Sequence, residues 1–299
     1  MSTVPALYHH LVDDASMFPP GNLPLAEAVA AHQSHLRSPY ADLVGTFVCT
    51  DDNLLKVAEA ARAGGEGGAP DGGAARGAER RVGAVPLRVS VVISGGAGGI
   101  EPVVRWGDRS KDVEVAAVEV RLRDEDDLSR NALRVVRACD DCLDEETAYV
   151  EIGMDGAWER ALDVVADAGY HAKLRTGGLD AHLFPAGDQV AAFITACLDR
   201  EVPFKCTAGL HNAVRHTAED SGFEHHGFLN VLLATRASLD GATQDELAQL
   251  LDDRDGEALA RRARELSDDQ AASTRRWFTS FGSCSIEEPV TDLKSLGLM

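Results

Sequence analysis

Two lysines stand inside apolar, strand-like runs of this chain: Lys173 in HAKLRTGG and Lys205 in PFKCTAGL. Of the 29 basic residues only five are lysine, and these two each precede a glycine-containing turn. An ammonium group in an apolar run must find a partner or give up its proton. Two such cations close together, in a medium of low dielectric, lower the pKa of at least one amine. A neutral lysine amine is a nucleophile toward aldehydes and ketones and forms a Schiff base. Lysine chemistry on a carbonyl compound is therefore the first reading of this stretch.

Side chains alternate faces along a strand. In KLRTGG, Lys173 and Arg175 share one face and Leu174 takes the other. Lys205 and Thr207 share a face opposite Phe204 and Cys206, Glu119 goes with Arg121 in VEVRL, and Glu151 opposes Val150 and Ile152 in YVEIG. The apolar faces want helices to pack on, so the polar faces look inward. Glu119, or an aspartate from the first strand such as Asp13, could then shuttle protons. The plain structural reading is a set of buried Lys–Glu pairs holding strands together, and such pairs are weak stabilisers.

The elements that must position these residues alternate along the whole chain. Eight strand-like runs start near Leu11, Leu43, Leu87, Val113, Thr147, His171, Pro203 and Phe278, with helical segments between them. Alternation of this kind predicts a parallel sheet covered by helices, and eight units predict closure into a (β/α)8 barrel. A barrel of about 250 residues would use nearly all of the chain, so residues 1–299 form one domain. Asn22 is the expected cap of the first helix, with Pro24 in its first turn. Residues 63–81, almost all Gly, Ala and charged, read as a flexible loop joining the second helix to the third strand. Residues 210–277 form a helical insertion between strands seven and eight, expected above the C-terminal mouth as a lid or an oligomer contact. Barrel active sites are built at that mouth.

Composition sets outer limits. A formal charge of −20 repels phosphate backbones, which excludes nucleic acid as a general partner. No run approaches about 18 apolar residues, so no membrane span is expected and the chain reads as cytoplasmic. The six cysteines form no framework; Cys139-x-x-Cys142 lacks the second pair that a zinc site needs. The glycine run after the third strand, GGAGG, fits neither common nucleotide-binding pattern.

In chain order, LVDDASMFPP, VEVRL, AGYHAKLRTGG, VPFKCTAGL and FGSCS resemble the strands of class I, Schiff-base-forming aldolases of the deoxyribose-phosphate aldolase type. The resemblance implies a lyase in which Lys173 forms the imine, Lys205 depresses its pKa, and Glu119 and Asp13 relay protons. It implies a phosphate site at the backbone of Gly177 and Gly209 with Ser283 and Ser285, and substrate contacts from Thr176, Thr207, Glu151 and His211. Arg175 stands where that family has a small residue, which suggests a second anionic group, such as a carboxylate, on a small carbonyl substrate. No cofactor and no metal are called for. Two rivals stay open. One is a metal-dependent barrel hydrolase or isomerase using His211, His216, His225 or His226 with Glu151 or Asp14. The other is a non-catalytic binding or assembly protein.

Overall fold

A computed structural model describes residues 4–66, 85–219 and 221–299. Eight parallel strands close into a barrel: β1 (Val12–Asp14), β2 (Val44–Thr50), β3 (Leu87–Val92), β4 (Val113–Arg121), β5 (Thr147–Glu151), β6 (His171–Arg175), β7 (Phe204–Thr207) and, last in the chain, β10 (Phe278–Ser283), which lies between β7 and β1. The two short strands β8 (His216–Thr217) and β9 (Glu224–His225) form a separate antiparallel ribbon. The chain is a (β/α)8 barrel, as its alternating pattern predicts.

Burial explains the pattern. Val89 and Val91, Val118 and Val120, Val150, Leu174, Cys206 and Phe281 are all 2% exposed or less and face the helices. Aromatic rings fill part of that layer: Phe204 stacks on Phe278 at 5.4 Å and meets Phe193 edge-on at 5.8 Å. The helices between the strands are α1 (Leu25–His35), α2 (Leu54–Glu66), α3 (Ile100–Gly107), α4 (Leu128–Asp140), α5 (Trp158–Asp167) and α6 (Gly187–Asp199). Asn22 does not cap α1. Pro24 holds that position, while Asn22 has φ of 47° and bonds the Pro20 carbonyl. At the end of α2 the helix runs on through residues read as loop; the remainder of the 63–81 segment, from residue 67, lies outside the described residues.

The insertion breaks into α7 (Phe228–Leu239), α8 (Gln244–Asp252), α9 (Gly256–Arg264) and α10 (Asp268–Trp277), and α11 (Glu287–Ser295) closes the chain. Side-chain caps set the breaks. Thr243 and Glu246, and Ser267 and Gln270, make capping boxes, and Asp255 accepts from the Ala258 amide. These helices pack sideways against the barrel's own helices. α7 packs on α6, α10 and β10, α8 packs on α6 and α7, and α10 packs on the turn at Ala6–Tyr8 before β1. Their apolar faces thus thicken the outer wall. The described residues of β8, β9 and the turns beside them fold over the ends of β6 and β7: His225 bonds the Gly209 carbonyl at 3.2 Å, and the Phe184 ring meets the His225 and Phe223 rings at 4.7 and 5.2 Å.

Gly177 and Gly209 bring the β6 and β7 ends together. A Cβ on Gly177 would lie 2.7 Å from the Gly209 Cα, and Gly209 itself has φ of 74°. Thr176, fully buried, donates its hydroxyl to the Ala208 carbonyl at 2.6 Å across the same junction. Gly209→Ala must adopt a left-handed conformation against the Thr176 carbonyl. It should lower stability by about 1–3 kcal/mol, read as a shifted urea midpoint with an unchanged slope.

Candidate functional site

The inward faces of the strands carry one continuous string of opposite charges. Arg175 on β6 donates to Glu151 on β5 at 3.0 Å, and Glu151 meets the Lys173 ammonium at 3.0 Å. Lys173 meets one oxygen of Glu119 at 2.6 Å, and Lys205 on β7 meets the other at 2.8 Å. Lys205 ends the string on Asp13 of β1 at 2.6 Å. Register makes this possible: Lys173 lies beside Lys205, and Glu151 beside Lys173. Closure then brings β1 and β4 within reach across the interior.

Hydroxyls complete the acceptors. Ser90 of β3 donates to Glu119 at 2.6 Å, and Ser280 of β10 donates to Asp13 at 2.6 Å. The other Asp13 oxygen accepts the amide and the hydroxyl of Thr46, each at 2.8 Å. Gly45 leaves room for that carboxylate, since a Cβ there would sit 2.4 Å from it. Tyr149 lays its ring 5.1 Å from the Lys205 ammonium. Sequence reading missed Ser90, Ser280, Thr46 and Tyr149 as parts of the site. Ser90 had a signal: it interrupts the apolar run LRVSVV at an inward position.

Asp13, Glu119, Lys173 and Lys205 are thus brought together as expected, all 4% exposed or less. Their charge state is not as expected. Burial drives Lys173 toward the neutral amine, but the carboxylates of Glu119 and Glu151 outweigh it and hold the pKa above the usual lysine value. Lys205 is likewise pushed down by burial and held well up by Asp13 and Glu119. Burial pushes Glu119 up, and the two ammonium groups hold it well below the carboxylate range; Lys173 and Arg175 do the same for Glu151. Lys205 does repel charge on Lys173, yet this effect ranks below the carboxylate attractions. Lys205 thus lowers the Lys173 pKa as expected, but the shared carboxylate between the two amines makes the net shift at rest upward. Asp13 touches Lys205 and not Lys173, so it reaches Lys173 through Lys205 and Glu119.

At the C-terminal mouth, Arg175 is about one-third exposed and Arg121 about half, and both approach Glu151. Thr207 lies beside Arg175 on the inward face, partly exposed. The remaining candidates serve other contacts. Gly177 and Gly209 are a close-packing pair, and Thr176 is spent on the Ala208 carbonyl. Ser283 is buried and donates to the Ser285 carbonyl, and Ser285 accepts the Glu288 amide. Glu287 and Glu288 occupy the first turn of α11 beside this turn, where a phosphate would meet like charge. His211 contacts Glu288 at 2.9 Å and lies 3.6 Å from the Cys284 sulfur. The site does not assemble the residues of the metal reading. His226 is fully buried against Arg215 and the Pro185 carbonyl, and Asp14 pairs with His32 of α1 behind β1. Among the described residues no three His, Cys, Asp or Glu side chains gather as a metal-binding group, and no helix is long and apolar enough to cross a membrane.

A cavity of about 160 Å³ opens at the opposite, N-terminal end of the barrel. Asp13, Ser90, Tyr149, Lys205 and Ser280 line its inner part, and Arg88 and His10 its exposed rim.

No family model matches the chain, and neither a curated protein nor a solved structure gives a significant match. The fold and the site therefore rest on the geometry alone.

The string makes stability depend on pH at both ends. Glu119 and Glu151 are held below 4.5 in the folded chain, so their contribution is complete above that pH and is lost as pH falls through the folded values. Lys173 and Lys205 are held above 10.5, so theirs is complete below that pH and is lost as pH rises through the folded values. Urea midpoints should form a plateau between these limits. Glu119→Gln should cost about 3–5 kcal/mol within it, because both lysines lose a charged partner.

Proposed function

We propose that the protein is a Schiff-base lyase of the aldolase kind, in which Lys173 attacks a small carbonyl compound carrying an anionic group. The observation that carries this reading is the Lys173 ammonium held between two carboxylates at 2.6 and 3.0 Å. Either acceptor is within reach of its proton, so Glu119 or Glu151 is placed to free the amine at the moment of attack.

The steps then follow. The freed Nζ lone pair adds to the carbonyl carbon, the oxygen takes a proton and the nitrogen gives one up to a neighbouring carboxylate, giving a carbinolamine. A second proton on that oxygen releases water and leaves an iminium ion. A base removes the proton of a β-hydroxyl, the bond between the α and β carbons breaks, and its electron pair enters the iminium to form an enamine and a free aldehyde. The α carbon takes a proton, and water cleaves the imine to regenerate Lys173. Glu119 and Glu151 supply and remove the protons nearest Lys173. Arg175 and Arg121, cationic and open to the mouth, suit a substrate carboxylate better than the serine turn suits a phosphate.

Cyanoborohydride with a panel of small aldehydes, ketones and keto acids should leave a reduced adduct on Lys173, mapped by peptide mass. Because Lys173 is held above 10.5, the neutral fraction rises about tenfold per pH unit below that value. The trapping rate should therefore climb between about pH 7 and 9. Lys173→Met should abolish trapping and keep the fold by circular dichroism, since Glu119 retains Lys205 and Glu151 retains Arg175. Adducts confined to Lys56, Lys111 or Lys294 would sink the proposal.

A further inference from the structure

The cavity at the N-terminal end is unexplained by an active site at the C-terminal mouth, where barrel chemistry is built. Six hydroxyl-bearing residues, Thr46, Ser90, Thr147, Tyr149, Thr279 and Ser280, are among those that line it. Asp13 and Lys205, two members of the buried string, form part of its wall. Both Asp13 oxygens already accept protein donors, and Arg88 is paired with Glu114 at 3.1 Å. The chamber therefore presents few unused charges to a ligand. At about 160 Å³ it has room for several water molecules. His171, inward on β6 two residues before Lys173, packs edge-on to Tyr149 at 5.2 Å, and its buried Nδ1 has no hydrogen-bond partner among the described residues.

We propose that this N-terminal vestibule is the proton port of the buried charge string, connecting Lys173 to solvent through Lys205 and Glu119. The inference rests on the Schiff-base reading for its purpose and on the hydrogen-bond chain for its path. A carbonyl compound seated on Lys173 would close the C-terminal side to water. The proton that Lys173 must lose then needs another way out. Lys205 gives a proton through vestibule water to a solvent base and becomes neutral. Glu119 takes a proton from Lys173 on the oxygen 2.6 Å away. Its carboxyl then turns and delivers that proton to the neutral amine of Lys205, whose nitrogen lies 2.8 Å from the other oxygen. One proton has left Lys173, one has entered solvent, and Glu119 and Lys205 have returned to their starting charges. Glu151 cannot replace this route, because its remaining partners are arginines, which do not exchange roles as acids near neutral pH. Reprotonation of the string runs the same path in reverse.

The chain has five lysines, so selective ¹⁵N labelling gives a readable set of side-chain ammonium signals, assigned with Lys173→Met and Lys205→Met. Exchange of the ammonium hydrogens with solvent is measured on the wild type, on Ala117→Leu and Thr147→Leu at the vestibule, and on Thr207→Leu at the C-terminal mouth. Ala117 is buried in the cavity wall and Thr147 lies at its more exposed edge, so the second variant stands in if the first does not fold. The wild type should exchange Lys205 faster than Lys173, and both faster than global unfolding. Filling the vestibule should slow both by tenfold or more while Lys56, Lys111 and Lys294 are unchanged, and Thr207→Leu should leave Lys205 as it was. Exchange that ignores the vestibule variants, that slows instead with Thr207→Leu, or that merely tracks unfolding in the wild type overturns the port. Carbonyl trapping reads the other claim separately. Vestibule-sensitive exchange without any adduct removes the lyase and keeps the port, and an adduct with vestibule-insensitive exchange does the reverse.

Discussion

Six charged side chains in one unbroken line, Asp13, Lys205, Glu119, Lys173, Glu151 and Arg175, are the constraint around which this barrel is built. Three carboxylates meet three cations, so the line is neutral, and every member has a partner of opposite sign. A barrel interior filled with branched apolar side chains would pack without this burden. Charges taken out of water recover their hydration only when geometry is good and the remaining lone pairs are satisfied. Here Ser90, Ser280 and Thr46 satisfy those lone pairs. Such a network adds little stability over an apolar core.

The placement of Glu119 separates two ideas that the sequence invites one to merge. Two lysines on adjacent strands suggest mutual repulsion and a ready neutral amine. A carboxylate that bonds both amines turns the pair into a relay at rest, with each proton held firmly. In the proposed lyase, nucleophilicity has to come from a proton moved along the line when a carbonyl compound arrives. The cost of that arrangement is a lower resting fraction of free amine. Its gain is an acid and a base within hydrogen-bond distance of the reacting nitrogen.

The two ends of the barrel do different work. At the C-terminal end, arginines stand half in solvent, and the segments after β6 and β7 are tied by Thr176, by the Gly177–Gly209 contact and by His225. At the N-terminal end, hydroxyls line an opening that reaches Lys205. The four helices of the insertion pack on the outer wall. They bury their apolar faces on α6, β10 and one another, so the added length broadens the wall that carries β7 and β10.

Much of this was legible in the residues themselves. The twofold alternation in VEVRL, YVEIG, HAKLR and FKCT assigns Glu119, Glu151, Lys173 and Lys205 to inward faces, because a strand offers only two faces and the apolar partners claim the outer one. The succession of strands and helices declares the barrel for the same kind of local reason. Caps such as Thr243 and Ser267, visible in the sequence, divide the long helical stretch, although reading it as one block hid that division. Tertiary structure alone decided who pairs with whom. Closure and register place Glu119 between the lysines, put Asp13 on Lys205, seat Arg175 on Glu151, and leave the cavity beneath them. Alternation is a property of one strand, whereas these contacts join residues up to 192 positions apart, and the distance between such residues is set only once all eight strands have met.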